Sequence, residues 1–137
     1  MFIQFVQDNL LLFAVAIVSG AMLIGPMLRR SGGGAAANTL QATQMINRQD
    51  AVMIDVREDA EYAKGHIVGA RHIPMSQLDS RAGELQKFKS KPLIAYCESG
   101  NRSSRAVSVL RKHGFESVFN LTGGFAAWQQ AGLPVEK

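Results

Sequence analysis

The sequence predicts an α/β domain, a mostly parallel β-sheet with helices on both faces, preceded by one N-terminal transmembrane helix. Three observations predict it. The apolar runs Ala51 to Val56 and Pro92-Leu93-Ile94-Ala95-Tyr96 lack the alternation of strands with one wet face, so they read as strands covered on both faces. Each is followed by a segment of helical spacing, and that alternation builds a parallel sheet. Finally, Asn9 to Leu28 carries no charge, with Leu10 to Val18 as its apolar heart. At about 1.5 Å per residue this segment covers about 30 Å, the thickness of a bilayer core.

The chain therefore divides into an anchor with its flanks (residues 1–30), a linker (31–37) and one domain (38–137). The start, Met1 to Asp8, holds one acid and no Lys or Arg, whereas a cleaved signal peptide begins with basic residues. Residues 9–28 thus read as an uncleaved, single-pass contact with the inner (cell) membrane. Arg29 and Arg30 follow at once. By the positive-inside rule they stay cytoplasmic, with the N-terminus outside and the domain in the cytoplasm. Ser31-Gly32-Gly33-Gly34-Ala35-Ala36-Ala37 offers no core-forming side chain and reads as a flexible linker.

Within the domain, Asn38 or Thr39 caps a helix to about Asn47, with Leu40, Met45 and Ile46 on one side. The strand Ala51 to Val56 ends in Asp55, Arg57 and Glu58. A short helix, Glu58 to Lys64, turns Tyr62 inward and stops at Gly65. Ile67 to Ile73 contains a short strand that Pro74 ends. Met75 to Leu78 and Arg81 to Phe88 read as helices, the second with a charged outer side. After the strand at Leu93 to Tyr96, a helix runs from Arg102 to His113 on Ala106, Val107, Val109 and Leu110. Gly114 ends it. Ser117 to Leu121 is a further strand, Thr122-Gly123-Gly124 a tight turn, and Phe125 to Gln130 a helix whose Phe125 and Trp128 belong to the core.

The net charge of +4 and pI near 9.6 invite a nucleic-acid partner. The charges are mixed along the domain, with no basic block and no aromatic interleaving, which points away from one. His66 has no cluster of further ligands at metal spacing, so no metal is expected. A single cysteine allows no intrachain disulfide and fits a reducing compartment.

That cysteine, Cys97, stands in the turn Tyr96-Cys97-Glu98-Ser99-Gly100-Asn101-Arg102-Ser103, between a strand end and a helix start. Ligands of parallel sheets bind beyond the carboxyl ends of the strands. Backbone N–H groups of such a turn converge on the sulfur and stabilise a thiolate, while Gly100 lets the loop curl. Arg102 and Arg105 add positive charge at the helix start. Free cysteine is often mere core; the turn around this one makes it a candidate nucleophile.

These residues resemble the active-site loop of the rhodanese family, the single-domain sulfurtransferases. Asp55-Val56-Arg57, Tyr62, Gly65-His66-Ile67-Val68-Gly69-Ala70 and Ile73-Pro74 look like the family's first signature. Leu121-Thr122-Gly123-Gly124-Phe125-Ala126-Ala127-Trp128, ending in Ala131-Gly132-Leu133-Pro134-Val135, looks like its last. The resemblance covers about residues 38 to 137. It implies a rhodanese-like parallel sheet and sulfur transfer through a Cys97 persulfide, without a cofactor. Glu98, Ser99, Gly100, Asn101, Arg102 and Ser103 would form the substrate-binding loop. Asp55 and Arg57 would support that loop, Asp55 by accepting backbone N–H groups and Arg57 through a buried ion pair; His66 would be a structural hydrogen-bonding residue.

The donor would be thiosulfate-like or a persulfide-carrying protein, and the acceptor a thiol or cyanide. Glu98 departs from the simplest pattern, because a basic side chain beside the nucleophile would welcome an anionic donor. Arg102 is expected to offset it. Cysteine phosphatases also place Cys on a strand-to-helix loop before Arg, but with five intervening residues; here there are Glu98, Ser99, Gly100 and Asn101. That smaller ring suits one sulfur atom better than a phosphate. The non-enzymatic alternative is a membrane-tethered protein-binding module, with a membrane-protein partner.

Overall fold

A computed structural model describes the backbone of residues 1–32 and 35–137, and the side chains of all of these except 26–32. The chain divides into two compact units, Met1–Gly33 and Gly34–Lys137.

The first unit holds α1 (Phe2–Asp8) and α2 (Leu10–Gly32). The two helices break at Asn9, where the side-chain amide and the backbone N–H both bond the Phe5 carbonyl. Among the described residues no single helix is long and apolar enough to cross a membrane. The part of α2 from Leu10 to Gly25 covers about 24 Å at 1.5 Å per residue, short of a bilayer core. The expected single-pass helix is therefore replaced by a bent pair, Phe2–Asp8 with Leu10–Gly25 at 77°, which passes by length and composition together. The Arg29 and Arg30 side chains lie outside the described residues.

The second unit begins with β1 (Ala35–Ala37), α3 (Thr39–Gln49), β2 (Val52–Asp55), α4 (Asp59–Lys64), β3 (His66–Ile67) and β4 (Arg71–His72). It continues with α5 (Met75–Arg81), a 3₁₀ segment (Ala82–Phe88), β5 (Leu93–Tyr96), α6 (Asn101–Lys112), β6 (Val118–Leu121), α7 (Gly124–Gln130) and β7 (Val135–Glu136). Five strands form one parallel sheet in the order β1-β6-β5-β2-β4, and β3 pairs antiparallel with β7.

β1 corrects part of the expected linker. Gly33 and Gly34 lie outside the described residues, but Ala35–Ala37 pairs with β6 at the sheet edge. An edge strand needs only backbone hydrogen bonds, and the Thr122 N–H reaches the Ala37 carbonyl at 2.8 Å, so three alanines suffice without an apolar pattern. Asn38, not Thr39, caps α3, exchanging hydrogen bonds with Gln41 in a reciprocal box. Leu40, expected on the buried side of that helix, is exposed.

The central strands are buried on both faces, with side chains alternating between two cores. Leu93 and Ala95 of β5 join Leu78, Leu85, Ala106, Val107 and Leu110 under α5 and α6. Ile94 and Tyr96 join Ala42, Phe125 and Trp128 under α3 and α7. The chain runs from β2 outward to β4, then returns to β5 on the other side of β2 and continues to β6. The carboxyl ends of β2 and β5 therefore flank the point where the winding reverses, the place in such sheets where a crevice opens.

Candidate active site

Cys97 is the next residue after β5 on the α6 side, continuing the Leu93, Ala95 alternation. Its backbone is pinned from behind. The Phe125 N–H donates to the Cys97 carbonyl at 2.8 Å and the Ala126 N–H to the Glu98 carbonyl at 3.1 Å. With its carbonyls turned toward α7, the loop turns N–H groups toward the sulfur. Close approach demands Gly124: a Cβ there would overlap the Cys97 carbonyl and meet the Glu98 oxygen at 2.7 Å.

The Gly100 N–H donates to Sγ at 3.0 Å, and Gly100 takes the left-handed φ of 104° that lets the chain curl into α6. The Ser103 hydroxyl lies 3.5 Å from Sγ. Burial of the sulfur pushes its pKa up, but the Ser103 hydroxyl and the N–H groups of Ser103, Gly100 and Ser99 outweigh that and hold the thiol below its ordinary value. Cys97 is 1% exposed, at the floor of the loop, while Glu98, Ser99 and Asn101 are exposed at its rim.

Of the expected loop residues, the structure gathers Ser99, Gly100 and Ser103 around the sulfur. It sends two others elsewhere. Arg102 makes a two-pronged pair with Glu61 at 2.8 and 2.9 Å, which draws the Glu61 carboxyl down to about 2 and raises Arg102. It therefore does not offset Glu98, as the sequence led one to expect. Glu98 instead meets Arg57 at 3.2 Å. Asn101 opens α6, and its carbonyl takes the Ser104 hydroxyl at 2.8 Å.

Asp55 and Arg57 form a closed brace at the end of β2. Asp55 accepts the Arg57 N–H at 2.9 Å and its Nε and Nη2 at 3.0 and 2.8 Å. Arg57 Nη2 also reaches the Gly65 carbonyl at 2.6 Å, and the guanidinium lies 4.3 Å from the Phe125 ring centre. Burial opposes the Arg57 charge, but the Asp55 hydrogen bond and charge win and raise its pKa. His66 bonds the Tyr62 carbonyl and Glu136, and Tyr62 is stacked between His66 and His72. Among the described residues no group of His, Cys, Asp or Glu could hold a metal ion.

Sequence reasoning missed two residues of the site. Asn120 in β6 takes the Ser103 hydroxyl at 2.5 Å and gives its amide N–H to the Gly100 carbonyl at 3.3 Å. Its signal was a polar residue inside the apolar strand Val118-Phe119-Asn120-Leu121. Glu61 carried no signal, since nothing in a short charged helix marks a pairing with Arg102.

A model of the rhodanese-like domain family matches residues 38–131. YqhL of Bacillus subtilis is 49% identical over 78 residues, 57% of this chain and 60% of that protein, so the chain spans under two thirds of that relative. A sulfurtransferase of Allochromatium vinosum is 36% identical over 92 residues, 67% of this chain and 84% of that protein. The crystal structure of a rhodanese-related protein from Thermoplasma volcanium superposes with a TM-score of 0.67 at 29% identity, covering 74% of this chain and 97% of that one. With three signatures in order on a five-stranded parallel sheet and the family model spanning most of the second unit, the chain belongs to the rhodanese-like domain family.

Proposed function

We propose that this chain is a membrane-anchored sulfurtransferase that moves a sulfane sulfur from a donor to a thiol or cyanide through a persulfide on Cys97. One observation carries the reading: backbone N–H groups of the loop, the Gly100 N–H nearest at 3.0 Å, converge on a lone sulfur and favour its ionised form. The thiolate attacks the donor's outer sulfur and the donor's remainder leaves with the electron pair of the broken bond. The same donors then stabilise the persulfide anion until the acceptor takes the outer sulfur, so ping-pong kinetics follow. The A. vinosum relative named a sulfurtransferase supports this reading.

Anchoring rests on the first unit. Its side chains Phe2, Ile3, Leu10, Leu11, Leu12, Ile17, Leu23 and Ile24 are all more than half exposed, an apolar surface that demands a non-aqueous cover. The Arg29-Arg30 flank in the sequence orients the domain to the cytoplasm. The full-length protein in detergent, incubated with candidate donors, gains the mass of one sulfur, lost on reduction and absent in Cys97→Ser. If no donor leaves that mass, the domain is a tethered binding module instead. A reporter fused after Lys137 is active in the cytoplasm alone; activity on the far side of the membrane overturns the orientation.

A further inference from the structure

We propose that the site takes its sulfur from a thiol-borne persulfide and discriminates against dianionic donors such as thiosulfate, because each cation at its rim is already engaged by a carboxylate. This rests on the sulfur-transfer reading above and narrows it to a donor class.

A dianion bound beside a thiolate needs a cation whose charge is not already neutralised. Two guanidinium groups flank the loop, and the charge of each is already met by a carboxylate. Arg57 divides its N–H groups among Asp55, Glu98 and the Gly65 carbonyl. Arg102 is held by both oxygens of Glu61, the strong two-pronged geometry of a guanidinium on a carboxylate. Glu58 adds its charge near Arg102. Two guanidinium groups thus face four carboxylates, Asp55, Glu58, Glu61 and Glu98. The next cation on α6, Arg105, stands one helical turn beyond Arg102, about 5 Å farther along the axis from the loop. A dianion reaching Sγ would either displace an ion pair or add its charge to an acidic rim.

A persulfide brings no such burden. The Cys97 thiolate attacks the outer sulfur of R–S–SH, and the donor's S–S bond breaks. Its electron pair leaves on the inner sulfur as R–S⁻, and Cys97 carries S–SH. One negative charge enters the step and one leaves it.

The test measures sulfur loading of Cys97 in the full-length protein in detergent. The donors are free cysteine hydropersulfide, the same group on the cysteine of a capped Gly-Cys-Gly peptide, and thiosulfate. The expected kcat/KM with either persulfide exceeds that with thiosulfate by ~100-fold or more. Which carrier is faster distinguishes a small-molecule source from a polypeptide one. The thiosulfate rate rises with added salt, since screening weakens like-charge repulsion. Glu61→Gln, which releases the Arg102 charge, and Glu98→Gln, which removes a carboxylate from the rim while Arg57 stays on Asp55, narrow the ratio between donors by ~10-fold through the thiosulfate KM. Thiosulfate used as readily as the persulfides, at a rate that falls with salt, overturns the donor assignment and leaves sulfur transfer standing. Loading by none of the three overturns both.

Discussion

At the carboxyl end of β2, Asp55 and Arg57 spend their polar atoms on each other, on fixed backbone groups and, through one Arg57 nitrogen, on Glu98. At the neighbouring end of β5, hydrogen-bond donors point at one sulfur that forms no ion pair among the described residues. Both sites are buried: Asp55 is 0% exposed, Arg57 2% and Cys97 1%. The difference lies in what is left to react. A closed ion pair stabilises geometry and leaves no group free to accept a new bond. A cradle of donors around an ionisable atom leaves that atom's lone pairs available while keeping its charge tolerable. Burial alone therefore does not mark the chemistry; the direction of the hydrogen bonds does.

Removing the sulfur gives the largest expected effect. Cys97→Ser lowers sulfur transfer by at least ~10³-fold, since the nucleophile and the persulfide carrier are the same atom. The fold survives, because Ser accepts the same donors. Removing the brace gives the opposite profile. Asp55→Ala leaves Arg57 as a buried, undercompensated charge and costs about 3–5 kcal/mol of stability, read from urea unfolding by the fluorescence of the single tryptophan, Trp128. An Asp55→Ala protein of unchanged stability that has lost transfer would make the end of β2 catalytic and erase the distinction.

Gly124→Ala tests the joint between the two regions. The new Cβ would strike the carbonyls of Cys97 and Glu98, and the left-handed φ of 59° adds strain. The expected cost is about 1–3 kcal/mol, together with slower alkylation of Cys97 by iodoacetamide as the loop shifts. Lost stability with an unchanged alkylation rate would separate the α7 turn from the cradle.

The contrast was half legible in the sequence. Apolar runs without alternation fixed the two-sided burial of β2 and β5, and the strand–turn–helix around Cys97 located the cradle. The supporting role of Asp55 and the buried ion pair of Arg57 were readable, but not that each is the other's partner. The partners of Arg102 and Glu98 were not readable either. Glu61 and Arg57 each stand 41 residues away from them in sequence; Glu61 comes in on α4, and Arg57 follows β2, which pairs with β5 beside the loop. β1 escaped notice because edge pairing uses backbone groups, which carry no side-chain pattern. The two-residue β7 at the C-terminus escaped for a similar reason: it pairs with β3 across the chain and is exposed.

The smallest expected effect is the most direct measure of the cradle. The folded state holds the Cys97 thiol below its ordinary value. An unfolded thiol titrates near 8.5. Between the folded and unfolded pKa values the native protein has released a proton that the unfolded chain still binds, so stability rises with pH there. The contribution is complete above the unfolded value and is lost as pH falls through the folded one. The unfolding free energy of the wild type minus that of Cys97→Ala is therefore flat at the acid end. It climbs in favour of the wild type toward the usual thiol range, by about 1.4 kcal/mol for each pH unit separating the two pKa values. Ser103→Ala shortens the climb and Ser103→Thr, which keeps a hydroxyl, restores it. A difference that stays flat through this range means the donors at the end of β5 do not favour the anion, and the two strand ends are then alike.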